Sequence, residues 1–284
     1  MLKEVIEQAR KENFLENLNI EIRTGAGAYV CGEESALIES IEGHRGNPRF
    51  KPPYPAVEGL WKQPTVVMNV ETLCNVPFIL REGAQAFSCI GSPDYPGTKL
   101  VMLNGDVKNR GCFEVTTGMS LKDSIYGIGG GVREGHALKG VQVGGSSGGF
   151  LKAGQIDVPL DFSSLQKAGS SLGSGAVLVL DETRDMTDIC LNIADFYKHE
   201  SCGKCVPCRE GCYRGQQIIQ KIHQARATQQ DVDNLFLLLD VMRETSLCGL
   251  GQSFYLPIQS CMTLFQDEFA AKIRQDSKGG GMQS

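Results

Sequence analysis

Four cysteines crowd into one short stretch of the sequence and carry its strongest chemical signal: Cys202, Cys205, Cys208 and Cys212. The first three stand at two-residue intervals, a spacing that brings three thiolates to three irons of a cubane cluster and leaves the fourth ligand to come from elsewhere. The chain has eleven cysteines and no apolar signal region at its start, which favours reduced thiols over disulfides. We therefore expect a metal or a cluster here.

Two cysteines are candidates for the fourth ligand. Cys212 follows at the spacing of a bacterial ferredoxin run, but Tyr213 replaces the proline, and in two-cluster ferredoxins that cysteine binds the other cluster. Cys248 lies in the run Ser-Leu-Cys-Gly-Leu-Gly, where glycines let the backbone approach a sulfide, and we favour it. Zinc is the alternative metal, but structural zinc usually pairs two short ligand spacings and only one is present, so we favour a four-iron cluster.

A glycine loop, Gly25-Ala-Gly-Ala-Tyr-Val-Cys-Gly32, precedes two carboxylates, Glu33 and Glu34, at the start of a predicted helix. The glycine spacing matches neither the dinucleotide fingerprint nor a P-loop. Carboxylates suit the positive end of a helix but would repel a phosphate there, so they would accept hydrogen bonds from hydroxyls, a carboxamide or a ring N–H. The alternative interpretation is that both glutamates only cap the helix.

Three predicted regions position these residues. Residues 1–95 read as part of an α/β domain, with a helix over about the first twenty residues, a strand at 20–23, the helix from Glu33 and an ordered Pro-rich loop over 43–64. Residues 96–182 predict a small α+β module of β-grasp type, with strands at 98–105, 111–116, 140–144 and 176–180 and a short helix at 121–126. Residues 183–284 predict a four-helix bundle with a frayed end at 278–284.

Composition and charge exclude several classes of protein. The 284 residues are 41% hydrophobic and 21% charged, which is ordinary globular usage. A formal net charge of −5 leaves no basic face for a phosphate backbone, so nucleic-acid binding is not expected. No apolar run reaches the roughly 18–20 residues of a membrane span. We expect a cytoplasmic protein, or one on the cytoplasmic face of a membrane complex.

Several motifs in order resemble one family over residues 1 to about 272: the NADH-binding flavoprotein subunit of respiratory complex I, with the diaphorase subunits of NAD-linked hydrogenases and formate dehydrogenases. The motifs are Gly25 to Leu37, Gly46-Asn-Pro-Arg49, Lys51-Pro-Pro-Tyr-Pro55, Asn69-Val-Glu-Thr-Leu73, Glu200 to Glu210 and Ser246 to Gly251. The resemblance implies FMN in an α/β domain, then a β-grasp module, then a helical bundle holding one 4Fe–4S cluster.

The resemblance also implies roles for individual residues. It places along the flavin Tyr29, Gly32, Glu33, Asn69 and Thr72. It implies that three residues face NAD(H): Glu34 forms a hydrogen bond, Lys51 meets phosphate or ribose, and Tyr54 stacks on adenine. It assigns as cluster ligands Cys202, Cys205, Cys208 and Cys248. We interpret as buried small hydrophobes Cys31, Cys74, Cys89, Cys112, Cys190 and Cys261.

The function implied is that of an NADH dehydrogenase (diaphorase)-type oxidoreductase, in which electrons pass from NADH through FMN to the 4Fe–4S cluster and on to clusters of partner subunits. The family begins with a further α/β segment that this sequence does not contain, so we expect a partner chain to supply the missing flavin-binding half. One alternative is a non-enzymatic iron–sulfur relay or scaffold subunit with a vestigial flavin site. A zinc-stabilised adaptor is another.

Overall fold

The computed structural model describes residues 1–274 of a mixed α/β protein. The chain separates into two compact units, one from Met1 to Val66 and one that begins at Val67. The predicted frayed end at 278–284 lies outside the described residues.

The first unit contains two α-helices, α1 (Leu2–Lys11) and α2 (Glu34–Ile41), and two 3₁₀ turns, Tyr29–Gly32 and Leu60–Lys62. Helix α1 is shorter than predicted. It ends because Asn13 adopts a φ of 62°, a left-handed conformation that asparagine tolerates and a helix does not.

The strand predicted at residues 20–23 is wrong, because no strand forms in the first unit as described. Alternating Ile and charged residues show which side chains could share a face, but a strand also needs a neighbouring backbone to pair with. Here the Ile20 carbonyl accepts a hydrogen bond from the Arg10 guanidinium at 3.0 Å. The helix of the predicted α/β domain is therefore present within these residues and its sheet is not. The Pro-rich segment at 43–64 is a loop, as predicted, apart from its 3₁₀ turn.

The second unit opens with two helices, α3 (Val70–Glu82) and α4 (Ala84–Ser88). Its strands and further short helices follow along the chain to residue 181. The strands are β1 (Gly91–Ser92), β2 (Tyr95–Pro96), β3 (Thr98–Gly105), β4 (Gly111–Thr116), β5 (Leu138–Val143), β6 (Phe150–Lys152) and β7 (Ala176–Asp181). The α-helices between them are α5 (Leu121–Asp123), which continues as a π-helical turn to Ile128, and α6 (Phe162–Lys167).

Five of these strands form one mixed sheet in the order β4-β3-β7-β5-β6. Strands β3 and β7 are parallel, with Met102 opposite Ala176, and the other pairs are antiparallel. The buried core is built from alternating residues of the sheet, such as Val101 and Leu103 in β3, together with Leu121 and Ile125. The four predicted strands and the short helix are confirmed, whereas β6 and α6 were not predicted.

Two buried aspartates tie the sheet to the helices that follow it. Asp106, after β3, accepts hydrogen bonds from Arg184 Nε at 2.8 Å and from the Asp181 backbone N–H at 3.1 Å. Asp181, at the end of β7, accepts from Arg133 Nε at 3.1 Å and from the Thr183 hydroxyl at 2.6 Å. Burial raises the pKa of Asp181, but the hydrogen bonds from Thr183 and Arg133 outweigh it and hold that pKa far below its usual range.

The helices after residue 185 are α7 (Met186–Glu200), α8 (Val206–His223), α9 (Gln229–Thr245), α10 (Gly249–Ser253), α11 (Tyr255–Leu264) and α12 (Gln266–Ala270). Two short parallel strands, β8 (Ala227–Thr228) and β9 (Ile273–Arg274), pair beside them. Helix α7 packs on α8 and α11, and α9 packs on the same two, so that the four surround one core. Helix α9 begins with a capping box, in which Thr228 and Asp231 bond reciprocally.

Aromatic and polar contacts join these helices to the sheet. The rings of Phe150 in β6 and Phe265 after α11 meet edge to face at 6.4 Å, and the Phe150 backbone N–H donates to Ser260 Oγ at 3.0 Å. Within residues 1–274, no helix has the length and apolar character that crossing a bilayer requires.

Candidate redox cofactor sites

The N-terminus of α2 is organised around Glu33. Its carboxylate caps the helix, accepting hydrogen bonds from the backbone N–H groups of Ser35 at 3.0 Å and Ala36 at 2.9 Å and from the Ser35 hydroxyl at 2.5 Å. Burial raises the pKa of Glu33, but these bonds and one from Lys51 outweigh it and leave the pKa lowered. The capping interpretation therefore holds for Glu33, whose carboxylate remains charged at neutral pH.

The Pro-rich loop brings Lys51 back to this helix start. Lys51 Nζ lies 3.1 Å from Glu33 Oε1 and 2.5 Å from Glu34 Oε1. The hydrogen bond to Glu34 is the main reason that the pKa of Lys51 is raised; burial acts in the opposite direction, and the bond to Glu33 adds to the rise. One ammonium thus lies between two carboxylates, and a nucleotide phosphate or ribose that approached it would compete with them.

Arg49 fixes the loop that carries Lys51. Its guanidinium donates to Glu39 at 2.6 Å and to Glu42 at 2.7 Å, both on or just after α2, and its backbone N–H donates to the Ser35 hydroxyl at 2.9 Å. These bonds attach the loop to α2 and so hold the predicted nucleotide residue Lys51 near the start of that helix. Tyr54, further along the loop, keeps 58% of its surface exposed.

A cleft of about 400 Å³ opens beside the glycine loop in the first unit. Of the predicted flavin residues only Gly32 lines it, whereas Tyr29 is half exposed at the start of the 3₁₀ turn and Glu33 is committed to its cap. A Cβ added to Gly32 would meet no atom within 4 Å, so open space lies over this residue, as a flavin placed along it would require.

The cleft is also lined by residues that the sequence interpretation missed: Arg23, Thr24 and Ser40. Arg23 lies two residues before the glycine loop, within the segment 20–23 that the sequence predicts as a strand, and its charge is the available signal.

Asn69 and Thr72 lie in the second unit, at the start of α3. Asn69 is the N-cap of that helix, and its Oδ1 accepts from the Thr72 backbone N–H at 3.2 Å. Glu71 attaches the same turn to the sheet by accepting from the Leu100 backbone N–H at 2.9 Å and pairing with Lys99. The two residues therefore hold a fixed helix start, and their contact with flavin remains a prediction.

Two helix starts carry the predicted cluster ligands. Cys205 is the N-cap of α8 and Cys208 lies in its first turn, while Cys202 lies in the preceding loop and Cys248 is the N-cap of α10. Cys208 is buried and the other three are half-buried. The backbone N–H groups of Leu250 and Gly251 act to lower the pKa of the Cys248 thiol, although burial outweighs them.

The thiols influence one another. The pKa of Cys208 falls to about 7, first because of its hydrogen bond with Cys212 at 3.8 Å and also through Ser201, whose hydroxyl lies 3.3 Å from its sulfur, and through Cys205. Burial raises the pKa of Cys248, and the negative charge of Cys208 and Cys202 adds to the rise. Cys208 is thus influenced by Cys205 and in turn influences Cys248, while Cys212 is buried one helical turn after Cys208.

A buried hydroxyl and a tightly packed glycine lie beside Cys208. The Ser246 hydroxyl is buried and has no hydrogen-bond partner in the described part of the chain. A Cβ on Gly251 would lie 2.5 Å from Ser246 Oγ and 2.8 Å from Cys208 Cβ, so only glycine fits there. Close backbone and an unsatisfied donor fit a sulfur-rich cluster.

No three cysteine sulfurs among residues 1–274 are spaced as the ligands of a zinc ion would be. Thiolates bound at 2.3 Å around a tetrahedral zinc would lie about 3.8 Å from one another. Among residues 1–274, only Glu39, Glu42 and His44 bring three metal-ligating atoms within 4.8 Å of one another, and Arg49 already pairs with both of those carboxylates.

The sequence analysis interprets the remaining six cysteines as buried, and this is wrong for four of them. Cys190 and Cys261 are buried, Cys31 is half-buried, and Cys74, Cys89 and Cys112 are exposed. Cys112 shows the reason, because it belongs to β4, an outer strand of the sheet.

Family profiles match two parts of the chain. The Nuo51 FMN-binding domain matches residues 1–78, and the NADH-ubiquinone oxidoreductase-F iron-sulfur binding region matches residues 188–272. The first range contains all of the predicted flavin and nucleotide residues, and the second contains all four predicted cluster ligands. FMN and a 4Fe–4S cluster, the cofactors that the sequence predicts, are confirmed at the level of these domains.

The sequences of two relatives align with nearly the whole chain. The NADP-reducing hydrogenase subunit HndC of Solidesulfovibrio fructosivorans is 45% identical over 96% of this chain and 57% of its own length, and the NADH-quinone oxidoreductase F subunit of Aquifex aeolicus is 41% identical over 98% and 65%. The chain thus spans about three fifths of these relatives. An air-oxidized NAD+-reducing [NiFe]-hydrogenase matches with a TM-score of 0.88 and 38% identity, over 99% of this chain and 48% of that one. Over nearly its whole length, the chain is therefore similar to NADH-quinone oxidoreductase F subunits and to the related subunits of NAD(P)-linked hydrogenases.

Proposed function

We propose that this chain is an electron-transfer portion of an NADH:acceptor oxidoreductase, in which electrons from NADH pass through FMN to a 4Fe–4S cluster and on to clusters of partner subunits. The observation that carries the proposal is the meeting of two helix starts, at α8 and α10, around Cys208, Cys248, Gly251 and the orphan hydroxyl of Ser246. A cluster-binding region without a flavin domain would support only a relay, and the match of residues 1–78 to an FMN-binding domain adds the source of electrons.

Cys202, Cys205, Cys208 and Cys248 would hold the cluster. When bound, FMN converts a hydride into single electrons and a four-iron cluster carries them one at a time. The chain itself would supply donors to the Cys248 sulfur, from the backbone N–H groups of Leu250 and Gly251 in the first turn of α10. It also places the thiolates near the positive end of α8, which stabilises negative charge.

In the first unit the residues of the predicted nucleotide site bind and orient. Lys51 offers a fixed positive charge between Glu33 and Glu34, Tyr54 offers an exposed ring for stacking on adenine, and Gly32 leaves space for the flavin. Glu34 pairs with Lys51 but, unlike Glu33, does not cap the helix, and it would accept a hydrogen bond from the nicotinamide nucleotide. No side-chain acid, base or nucleophile is needed for hydride transfer to a flavin.

The finer architecture belongs to the same proposal. We divide the chain into the end of an FMN/NADH-binding domain at 1–95, a β-grasp module at 96–182 built on the five-stranded sheet, and a helical bundle at 183–284. The matched relatives are longer than these 284 residues, so sequence outside them, on the same or on a second polypeptide, would contribute to the flavin site. Iron–sulfur subunits of a larger complex would be the electron acceptors, and a cytoplasmic location remains a prediction.

An anaerobic visible spectrum tests this function. The chain, isolated with whatever co-purifies, is recorded before and after addition of NADH, with iron, sulfide, zinc and flavin quantified on the same sample. We expect four irons per chain, stoichiometric flavin and bleaching of both by NADH. A Cys202→Ser variant should lose iron, while the matched control Cys112→Ser, on an exposed edge strand, should keep it.

The other outcomes identify other functions. Iron without flavin or any response to NADH, in the presence of all co-purifying chains, would support the relay or scaffold alternative. Zinc without iron would refute the proposal.

A further inference from the structure

Ser246 is buried next to two proposed cluster ligands and keeps one polar group unused. Its residue is only 5% exposed. Its backbone N–H donates to the Met242 carbonyl at 3.1 Å, and its carbonyl accepts from Gln252 Nε2 at 2.9 Å. The main chain is therefore fixed and satisfied, while the side-chain hydroxyl has no partner in the part of the chain that the structure describes.

Such a group calls for an explanation, because buried hydroxyls in folded proteins are nearly always hydrogen-bonded. The only other buried side-chain atom of this kind among residues 1–274 is Asn47 Oδ1, in the first unit. A cofactor that enters after folding explains the Ser246 hydroxyl if it brings an acceptor to that place.

The position of the hydroxyl identifies the acceptor. Ser246 Oγ and Cys208 Cβ both lie within 3 Å of the point where a Gly251 side chain would begin, and Cys248 follows Ser246 by two residues. The hydroxyl thus lies near Cys208, two residues before Cys248 in the chain, and packs against Gly251, where no side chain would fit. Sulfide and thiolate sulfurs are the acceptors that a cluster bound there would present.

We infer that the Ser246 hydroxyl donates a hydrogen bond to a sulfur of the bound cluster and raises its reduction potential. This inference rests on the proposed function, since it needs the cluster. The direction follows from charge: reduction adds an electron to the cluster, and a hydrogen bond to the more negative state is the stronger one. Ser201 and Cys212 already contact the Cys208 sulfur, so Ser246 would add a donor on the Cys248 side.

The test is a redox titration of the cluster-loaded full chain, followed by EPR of the reduced cluster. The variants are Ser246→Ala, which removes the donor, and Ser246→Thr, which keeps a hydroxyl. Thr245→Ala is the matched control, because Thr245 is the neighbouring residue, is exposed, and donates its hydroxyl to the Val241 carbonyl at 2.6 Å.

We expect the Ser246→Ala cluster to be harder to reduce by about tenfold in the ratio of reduced to oxidised cluster, which is a midpoint about 59 mV more negative for one electron. Ser246→Thr should stay nearer to the wild type than Ser246→Ala does, and Thr245→Ala should match the wild type. A Ser246→Ala midpoint equal to that of the wild type would overturn the inference and would mean that the hydroxyl bonds only to water.

The iron content of the variants gives a second test. If Ser246→Ala binds no iron while Ser246→Thr does, the hydroxyl is needed by the cluster and the inference stands; if neither binds iron, the role of Ser246 is steric and the inference is wrong. Absence of iron from the wild-type chain would instead refute the proposed function. The two failures are therefore distinguishable.

Discussion

Replacing Gly251 by alanine tests the cluster site through a single methyl group. The new Cβ would lie 2.5 Å from Ser246 Oγ, 2.7 Å from Ser246 Cβ and 2.8 Å from Cys208 Cβ. Non-bonded carbons pack at about 3.5–4.0 Å, so each neighbour would have to move by roughly 1 Å. The hydroxyl could rotate away, but the two Cβ atoms are attached to backbone of α8 and of the loop before α10, and those must shift.

The magnitude follows from overpacking and from helix propensity. Forcing a methyl group into a well-packed site costs about 1–3 kcal/mol. Alanine in a helix gains about 0.5–1 kcal/mol over glycine, which offsets part of that cost. The expected net loss in the free energy of unfolding of the cluster-free chain is about 0–2.5 kcal/mol.

Gly249 provides the matched control in the same short helix. A Cβ added there meets no atom within 4 Å, and the residue is exposed. Gly249→Ala should therefore be neutral or gain up to about 1 kcal/mol. Subtracting one variant from the other removes the propensity gain and leaves the contact cost of about 1–3 kcal/mol.

Two assays check this prediction on the full chain. Urea unfolding of the cluster-free chain, followed by far-UV circular dichroism, measures the free energies, and iron per chain after reconstitution measures the site. Gly251→Ala should lose iron because Cys208 is displaced, whereas Gly249→Ala should load as the wild type does. Equal stability and equal iron in the two variants would refute the conclusion that the close packing of Gly251 holds Cys208 in its place at the cluster site.

Three further predictions concern other features of the second unit. Cys248→Ser should lose or convert the cluster while Cys212→Ser keeps it, as measured by iron content and EPR; the reverse result would transfer the fourth ligand to Cys212. Stability should fall as the pH drops below about 4, because the pKa of Asp181 is lowered in the folded chain and its contribution is complete only above the unfolded value of about 3.9; Asp181→Asn should flatten that acid limb in urea titrations, and an unchanged slope would contradict it. Thr228→Ala should cost about 1 kcal/mol of unfolding free energy because the α9 capping box with Asp231 is lost, and no change would show that the cap is redundant.

Local signals predicted four strands of the five-stranded sheet and the longer helices after residue 185. The spacing of Val232, Leu235 and Leu239 marks one buried face, and Thr228 with Asp231 marks where the helix begins; both are found in α9. These features depend on neighbours within one turn, which is why the sequence contains them. The strand predicted at 20–23 failed for the opposite reason, because pairing depends on a partner backbone that no local pattern identifies.

The candidate sites divide in the same way. The spacing of Cys202, Cys205 and Cys208 is visible in the sequence, because a loop and one helix turn hold all three. The ion pairs of Lys51 with Glu33 and Glu34 are not, since they need the Pro-rich loop to fold back across 17 and 18 residues. The unsatisfied hydroxyl of Ser246 could be found only from coordinates, because burial without a partner is a property of the packed structure.

The cluster site therefore depends on where two helices begin. Pro207 occupies the first turn of α8, where its missing N–H costs nothing, and so favours a helix start that leaves Cys205 as the cap and Cys208 one turn inside. Cys248 likewise occupies the N-cap position of α10, one residue before Gly249. Free N–H groups and the positive end of the helix dipole then face the thiolates, whose negative charge would otherwise be costly to bury. A substitution that moved either start by one residue would turn a ligand away by about 100°, since an α-helix has 3.6 residues per turn, and would lose the site without removing any cysteine.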